Sequence, residues 1–546
     1  MSRTACIHVD LESGGCVDLP LVHDHRSLAD VLGSHGLPLN TRCGQRGLCR
    51  GCEVQLCDGS LLSGSGPVSA PATVQACRVR MNGVATLQVP ARSRIEHRPQ
   101  VSETFEIAVP YAHQPLFSPV PGHRDTAFAV DVGTTTVVVL LVDLVTGGVL
   151  SRAGAFNEQI RFGDNVVTRI EAAHKPENLS ALQRAVVMET IQPLLLRACE
   201  RAGRSLERIA GGAIAGNTTM LHLLAGEDPT PLGIAPFTPR FIKAKQFLAS
   251  GIKLAAEGLP PETPIQLLPG IAGYIGADIT AGIFASGMVF DTMPSLLVDI
   301  GTNGEIVLQN GGKLTACATA AGPAFEGCGL RCGMRAREGS VSDLCLTLSP
   351  FQLETETIGG VPLARAVGIC GSAYIDFLAT ARSSGLLGVA GRFEQAAWRS
   401  VPALYRFTDD GERALRLAEA NGAGVLRISE VDVALLLQAK AAIGAGIDIL
   451  LETAGILAGD LGCVYLAGGF GMHLNIAHAI AIGLLPGFRE DQVRVVGNTA
   501  LAGAMLALVD RTTLDEMENL RAQVEVVELN LADGFEDRYV EHLLLP

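Results

Sequence analysis

The sequence has no excess of positive charge. Its 42 Lys and Arg stand against 56 Asp and Glu, a formal net charge of −14. Affinity for a phosphate backbone comes from clustered Lys and Arg, so a nucleic-acid partner is excluded. An apolar run of membrane-spanning length is missing as well. The most apolar stretch, around residues 137–145, is short and broken by Asp143, so no membrane partner is expected. The first residues, MSRTACIHVDLES, become polar and acidic early, which predicts no signal peptide. Nor is the chain poor in apolar residues: they make up 48%, which excludes disorder.

These absences leave a cytoplasmic, reducing location as the expectation. There, 14 Cys do not form a disulfide framework; some are metal ligands and others buried thiols. Glycine is abundant, with 62 residues, which suits loops where backbone meets ligand. A length of 546 residues points to roughly two to four domains.

The first ninety residues read as short strands and turns. Residues 5–11, a Ser13-Gly14-Gly15 turn and residues 16–19 predict a hairpin. A short amphipathic helix is expected over 27–34, with Ser27 as its N-cap, and strands near 53–56 and 85–89. That order fits a small β-grasp module over 1–90. Residues 91–125, with several Pro, Arg and His, read as a linker. From Thr126 onward apolar strands alternate with longer helical stretches, an α/β signature.

That second region contains a repeat. Phe128-Ala-Val-Asp131-Val-Gly133-Thr134-Thr135-Thr136 is echoed by Leu297-Val-Asp299-Ile-Gly301-Thr302-Asn303-Gly304, 168 residues later. Each copy is a buried strand, an Asp, a glycine turn and small polar residues, followed by another strand. The spacing fits two duplicated halves, 126–294 and 295–546, facing one another.

Cys43, Cys49, Cys52 and Cys77 are spaced C-x5-C-x2-C-x24-C. A 2Fe–2S cluster needs four thiolates, and a tight loop supplies three of them if its backbone turns sharply. Gly44, Gly47 and Gly51 give that freedom. The spacing is one residue longer in its first gap than the plant-type pattern, an expansion known from vertebrate-type ferredoxins. Zinc knuckles prefer paired C-x2-C units, and only one such pair is present. Cys57 falls outside the spacing and is read as a free thiol, Cys6 and Cys16 as packing residues.

An Asp-x-Gly-Thr turn between strands suits phosphate and Mg2+. Its backbone N–H groups face phosphate oxygens at Gly133 and Gly301, and Thr134, Thr135, Thr302 and Asn303 add side-chain hydrogen bonds. Asp131 and Asp299 position the metal, usually through its waters, or else merely cap the turns. A third element, Cys463-Val-Tyr-Leu-Ala467-Gly468-Gly469-Phe470-Gly471, is a strand ending in a glycine turn where backbone meets a nucleoside. In that order the three elements resemble the phosphate and adenosine motifs of the actin-like ATPases (the ASKHA or RNase H-like class).

The whole chain resembles a narrower family, the ATP-dependent reductive activators of corrinoid proteins, which join a 2Fe–2S domain to an actin-like ATPase. The likeness is carried by Asn157-Glu-Gln-Ile-Arg-Phe-Gly163-Asp164, Ala215-Gly216-Asn217-Thr218-Thr219-Met220 and Leu268-Pro269-Gly270. Gly322-Pro323-Ala324-Phe325-Glu326-Gly327, Cys332-Gly333-Met334-Arg335-Ala336 and Gly497-Asn498 add to it. The resemblance implies an electron-transfer ATPase, an oxidoreductase that returns one electron to Co(II) of a corrinoid methyl carrier. It implies ATP, Mg2+ and a 2Fe–2S cluster as cofactors, an upstream reductant or ferredoxin, and a homodimer. This chain passes from Asp125 almost directly into the first phosphate strand, so a further domain carried by some relatives is not expected. Its last eighty residues hold no Cys, which excludes the variant with C-terminal 4Fe–4S centres.

Other residues admit two readings. Asn217 contacts phosphate or sits at a domain connection. Glu305 orients the attacking water or lies on a strand surface, and Glu326 is similar. Lys440 reaches the adenosine or lies on a solvated helix face. Cys317, Cys328, Cys332 and Cys370 are structural thiols, since C-x10-C-x3-C is no standard ligand pattern and no His is near. The alternative functions are an activator of another low-potential metalloenzyme of the dehydratase type, a small-molecule kinase with a redox-sensing ferredoxin domain, and a non-enzymatic nucleotide sensor.

Overall fold

The computed structural model describes residues 6–11, 15–20, 26–39, 41, 45, 47, 51–90, 93–94, 105, 107, 109, 111–409, 411–420 and 424–546. Strand Cys6–Leu11 pairs antiparallel with Cys16–Pro20 and parallel with the late strand Val79–Val89. The sheet continues through Glu53–Ser63 to Gly66–Ser69 and Ala72–Gln75. Alternation along these strands sends Ile7, Val9, Val54, Leu56, Leu87 and Val89 inward, where helix Leu28–Ser34 covers them with Leu28, Val31 and Leu32. Ser27 caps that helix by accepting from the Asp30 N–H at 3.1 Å. The two short strands after Ser63 are four residues each, the first carrying Gly, Pro and Ser, and gave no periodic signal. Cys16 is exposed, not packed, because its strand lies at the sheet edge.

The repeat becomes two sheets of matching order. In the first, Thr126–Val132 pairs antiparallel with Thr136–Asp143, which pairs antiparallel with Val149–Phe156. On its other side Thr126–Val132 runs parallel to Ile209–Gly216, which runs parallel to Pro264–Leu267. In the second, Ser295–Ile300 pairs antiparallel with Gly304–Asn310 and on to Lys313–Thr319. Its other side is parallel to Cys463–Ala467 and then Val493–Gly497. The central strands are apolar on both faces, as sheets covered by helices on both sides require.

The two cores interlock. Helix Thr499–Val509 follows the second sheet in sequence, yet Leu501, Ala504, Met505 and Leu508 belong to the core of the first. It packs on helix Ala277–Ser286, where a Cβ at Gly503 would lie 2.5 Å from that of Ala281. Residues 111–117 are fastened to its end: Gln114 and Leu116 donate to the carbonyls of Val509 and Leu508, each at 2.9 Å.

Helix Glu430–Ala454 is long and apolar enough to cross a membrane, a length the sequence was expected to lack. Most of it is buried inside the protein instead, with Leu436, Ile443, Ile447 and Leu450 in the second core. Its apolarity all round is that of a core helix.

Candidate functional site

The ends of the central strands in both sheets open into one cleft of about 250 Å³. Asp131, Gly133, Thr134, Thr135, Asn217, Asp299, Gly301, Thr302, Asn303, Glu305, Gly468 and Gly469 all line it. Duplication explains the convergence, because the same turn at the same sheet position faces itself across the gap between halves.

The first turn is held from behind by a buried polar network. The Asn157 amide donates to the Gly133 carbonyl at 2.9 Å. Arg169 donates to the Thr134 carbonyl at 2.5 Å, the Gly163 carbonyl at 3.0 Å and Gln159 Oε1 at 3.1 Å. Arg169 is wholly buried, and that burial, followed by the nearby Arg335 charge, lowers its pKa to about 9. It thus places a cation behind the turn.

Two asparagines reach the same turn from helix N-termini. Asn217 caps Thr218–Ala225, accepting from Met220 N–H at 2.9 Å, while its Nδ2 donates to Thr134 Oγ1 at 3.0 Å. Asn498 caps Thr499–Val509, accepting from Leu501 N–H at 2.8 Å, while its Nδ2 donates to Asp131 Oδ2 at 2.8 Å. Asn217 therefore both caps a helix and holds a turn hydroxyl.

Four carboxyl groups share the cleft floor. Burial raises Asp131 to about 6, against the pull of Asn498. Burial and then the charge of Asp131 raise Asp299 to about 7. Burial and then Asp299 and Asp131 raise Asp278 to about 8, and burial with Asp278 and Asp299 raises Glu305 well above its ordinary range. Glu305 is buried in the cleft wall rather than set on a strand surface. Crowded carboxylates of this kind are eased by a divalent cation. Among the described residues, no three His, Cys, Asp or Glu side chains converge to ligate one ion directly.

The halves touch across the cleft. Thr135 Oγ1 and Thr302 Oγ1 are 3.4 Å apart. Glu326 accepts from Thr135 Oγ1 and Thr302 Oγ1, each at 2.9 Å, and from Arg335 Nε at 3.3 Å. At the third strand end, Gly468 has φ +91°, and a Cβ there would stand 2.6 Å from Asp299 Oδ1. Only glycine allows backbone that close to the carboxylate. Phe470 stacks on Phe325 at 5.4 Å beside it.

In the N-terminal sheet, Cys52 is buried and its thiol is lowered to about 7, first by its hydrogen bond with Cys77. Ala76 N–H donates to the Cys52 carbonyl at 3.0 Å, tying the two cysteine segments together. Gly47 has φ +71°, and a Cβ there would fall 1.9 Å from Arg78 Nε. The Cys52 and Cys77 thiols, hydrogen-bonded to each other with Gly47 close against Arg78, are two of the four thiolates that a 2Fe–2S group takes. Cys43 and Cys49 lie outside the described residues. Cys57 is exposed.

Lys440 takes neither expected role: it is buried away from the cleft and donates to the Leu544 carbonyl at 2.6 Å. Cys317 and Cys332 contact the carbonyls of Gly446 and Val425, and Cys370 contacts Ser340 Oγ, so these three are packed individually. Asp278 was not singled out from sequence. It has no counterpart in the repeat, and its one signal is Gly276, where a Cβ would lie 2.5 Å from Asn217 Cα.

Residues 293–546 match the family described as the C-terminal domain of RACo, the ASKHA domain, and residues 126–290 match the RACo middle region. The corrinoid activation enzyme RamQ of Eubacterium limosum is 29% identical over 550 residues, covering 89% of this chain and 90% of that protein. The [Co(II) methylated amine-specific corrinoid protein] reductase of Methanosarcina barkeri is 26% identical over 430 residues, 74% of each chain. A solved structure, a reductive activator for corrinoid, iron-sulfur protein, superposes with a TM-score of 0.71 at 29% identity, covering 99% of this chain and 98% of its own. The fold is thus multidomain α/β with a C-terminal ASKHA domain.

Proposed function

The chain belongs to the family of reductive activators of corrinoid proteins, and from that premise we propose that it uses ATP and Mg2+ to return the cobalt of a corrinoid partner from Co(II) to Co(I). The observation that carries this reading is the meeting of two matched turns, with the Thr135 and Thr302 hydroxyls 3.4 Å apart beside the carboxylates of Asp131 and Asp299. Facing turns of this kind clamp adjacent phosphates from both sides. Gly133, Thr134, Gly301 and Asn303 hold phosphate, Asn217 orients Thr134, Gly468 and Gly469 meet the adenosine, and Asp131 and Asp299 hold Mg2+ through water. Glu305 orients the attacking water.

The hairpin, helix and parallel return of the N-terminal sheet support a ferredoxin-like β-grasp module over 1–90, joined by 91–125 to the actin-like halves 126–294 and 295–546. A 2Fe–2S cluster held by Cys43, Cys49, Cys52 and Cys77 supplies one electron when bound, and an upstream reductant or ferredoxin replaces it. The cobalt is substrate and takes that electron. Moving it uphill requires about 2.3 kcal/mol per 100 mV. Nucleotide supplies this by favouring one arrangement of the complex over another.

The test mixes the reduced protein, Mg2+-ATP and a Co(II) corrinoid protein and follows the Co(I) absorbance band. Growth of the band only with ATP is expected, and its loss in Cys49→Ser. No band with any corrinoid partner, or a full band from Cys49→Ser, defeats the reading.

A further inference from the structure

One side chain spans the two halves where their turns meet. Glu326 ends the turn Pro323–Glu326 and uses both carboxylate oxygens. Oε1 accepts from Thr302 Oγ1 at 2.9 Å, and Oε2 accepts from Thr135 Oγ1 at 2.9 Å and Arg335 Nε at 3.3 Å. Arg335 Nη2 also donates to Thr135 Oγ1 at 3.2 Å, and its guanidinium lies over the Phe156 ring at 5.3 Å. The position of Glu326 is built into the backbone. The next residue, Gly327, has φ +74°, and a Cβ there would fall 2.5 Å from the Met334 N beside Arg335.

Two hydroxyls and a guanidinium are the donor set that a phosphoryl group takes. A threonine hydroxyl has one proton to donate. Thr135 and Thr302 therefore cannot serve Glu326 and a phosphate oxygen together. Arg335 Nε is held by Glu326 as well, and a phosphate beside Glu326 meets like charge.

We infer that Glu326 sets the discrimination between nucleoside triphosphate and diphosphate, because the terminal phosphoryl group takes the Thr135, Thr302 and Arg335 donors from it while a diphosphate leaves them in place. This rests on the nucleotide reading of the cleft. It makes Glu326 a competitor of the phosphate, and Arg335 a cation that exchanges one anion for the other.

The test is calorimetric titration of the full-length protein, with its cluster, in Mg2+. A non-hydrolysable ATP analogue and ADP are each titrated into wild type, Glu326→Gln and Glu326→Ala. The expected result is tighter analogue binding in both variants, by roughly tenfold, with ADP binding little changed, since losing one charged competitor is worth at least that factor. Arg335→Ala is expected to weaken the analogue more than ADP. Melting curves without nucleotide establish that each variant is folded, and Glu326→Gln keeps the side-chain volume if Glu326→Ala does not fold. An unchanged or lowered ratio of analogue to ADP affinity in a folded Glu326→Gln overturns the inference while leaving the nucleotide site intact. Failure of wild type to bind either nucleotide overturns the site reading, and this inference with it.

Discussion

Thr135 Oγ1 and Thr302 Oγ1 lie 3.4 Å apart although their residues are separated by 167 positions. Thr302 directly follows its turn glycine and Thr135 lies two residues after its own, so the contact joins the two repeated turns at neighbouring rather than equivalent positions. Both hydroxyls are expected to act on one phosphate. Thr135→Val and Thr302→Val should each weaken nucleotide binding, and the double variant should lose less than the sum. A coupling energy of about 0.5–3 kcal/mol is the range for groups sharing a partner. Strict additivity in a calorimetric double-mutant cycle would show that the turns act separately.

Binding of Mg2+-ATP should depend on pH. Burial holds Asp131 at about 6, and burial with the charges of neighbouring carboxylates holds Asp299 at about 7 and Asp278 at about 8. A divalent cation favours the ionised forms, so binding expels protons. Affinity should rise by at least ~10-fold from pH 6 to pH 8 and level off above. Native pKa values above the unfolded ones also mean that the fold retains protons the unfolded chain has lost. Stability without nucleotide therefore falls as pH rises through this window, and Mg2+-ATP should remove the fall. Titrations in buffers of different ionisation enthalpy measure the released protons; none released would contradict the raised values.

Asn498 does two things at once, capping Thr499–Val509 and bonding Asp131. Asn498→Ala should lower stability by about 1 kcal/mol through the cap alone, and weaken Mg2+-nucleotide binding as Asp131 loses its partner. Asn498→Asp keeps a capping oxygen but sets a second carboxylate against Asp131. The two buried like charges should destabilise it, and it should bind nucleotide more weakly. A melt of Asn498→Ala indistinguishable from wild type would mean that the cap is not what Asn498 contributes to stability.

A stability effect of opposite sign is expected where the first repeat strand begins. Asp125 accepts from Arg208 Nε at 3.0 Å and from the Gly122 N–H at 2.9 Å. The Arg208 bond, first among the causes, lowers the carboxyl to about 2. Its contribution is complete above the unfolded pKa and is lost as pH falls through about 4 towards 2. Arg208 is partly exposed, so Asp125→Asn should cost only about 1–2 kcal/mol at neutral pH. Denaturant melts at pH 7 and pH 3 check this: the gap between wild type and variant should shrink at the lower pH.

What the sequence made legible was local. The turns after Asp131 and Asp299 and the glycines after Ala467 terminate buried strands, and strand, turn and small-residue patterns lie within a dozen positions. Ser27 as a cap was equally readable. The contacts between segments were hidden. Arg169 looks like any helix arginine until burial and the Thr134 carbonyl are seen. Asp278 and Asn498 come to the cleft on helices that the repeat does not contain. Lys440 misled because a single cation in an apolar helix was read as marking a solvated face. That helix is apolar on every side, which is the mark of burial, and the Lys440 ammonium is satisfied by the Leu544 carbonyl instead.

Helix Thr499–Val509 completes the core of the first half although it is among the last segments of the chain to be made. Synthesis thus delivers the sheet of residues 126–267 long before the piece that seals it. An emerging polypeptide ending before Thr499 leaves Ala277, Ala281 and the strand Thr126–Val132 without the cover that Leu501, Ala504 and Leu508 supply. The interlock ties the two lobes together in folding, since the first is sealed only when Thr499–Val509 docks on it.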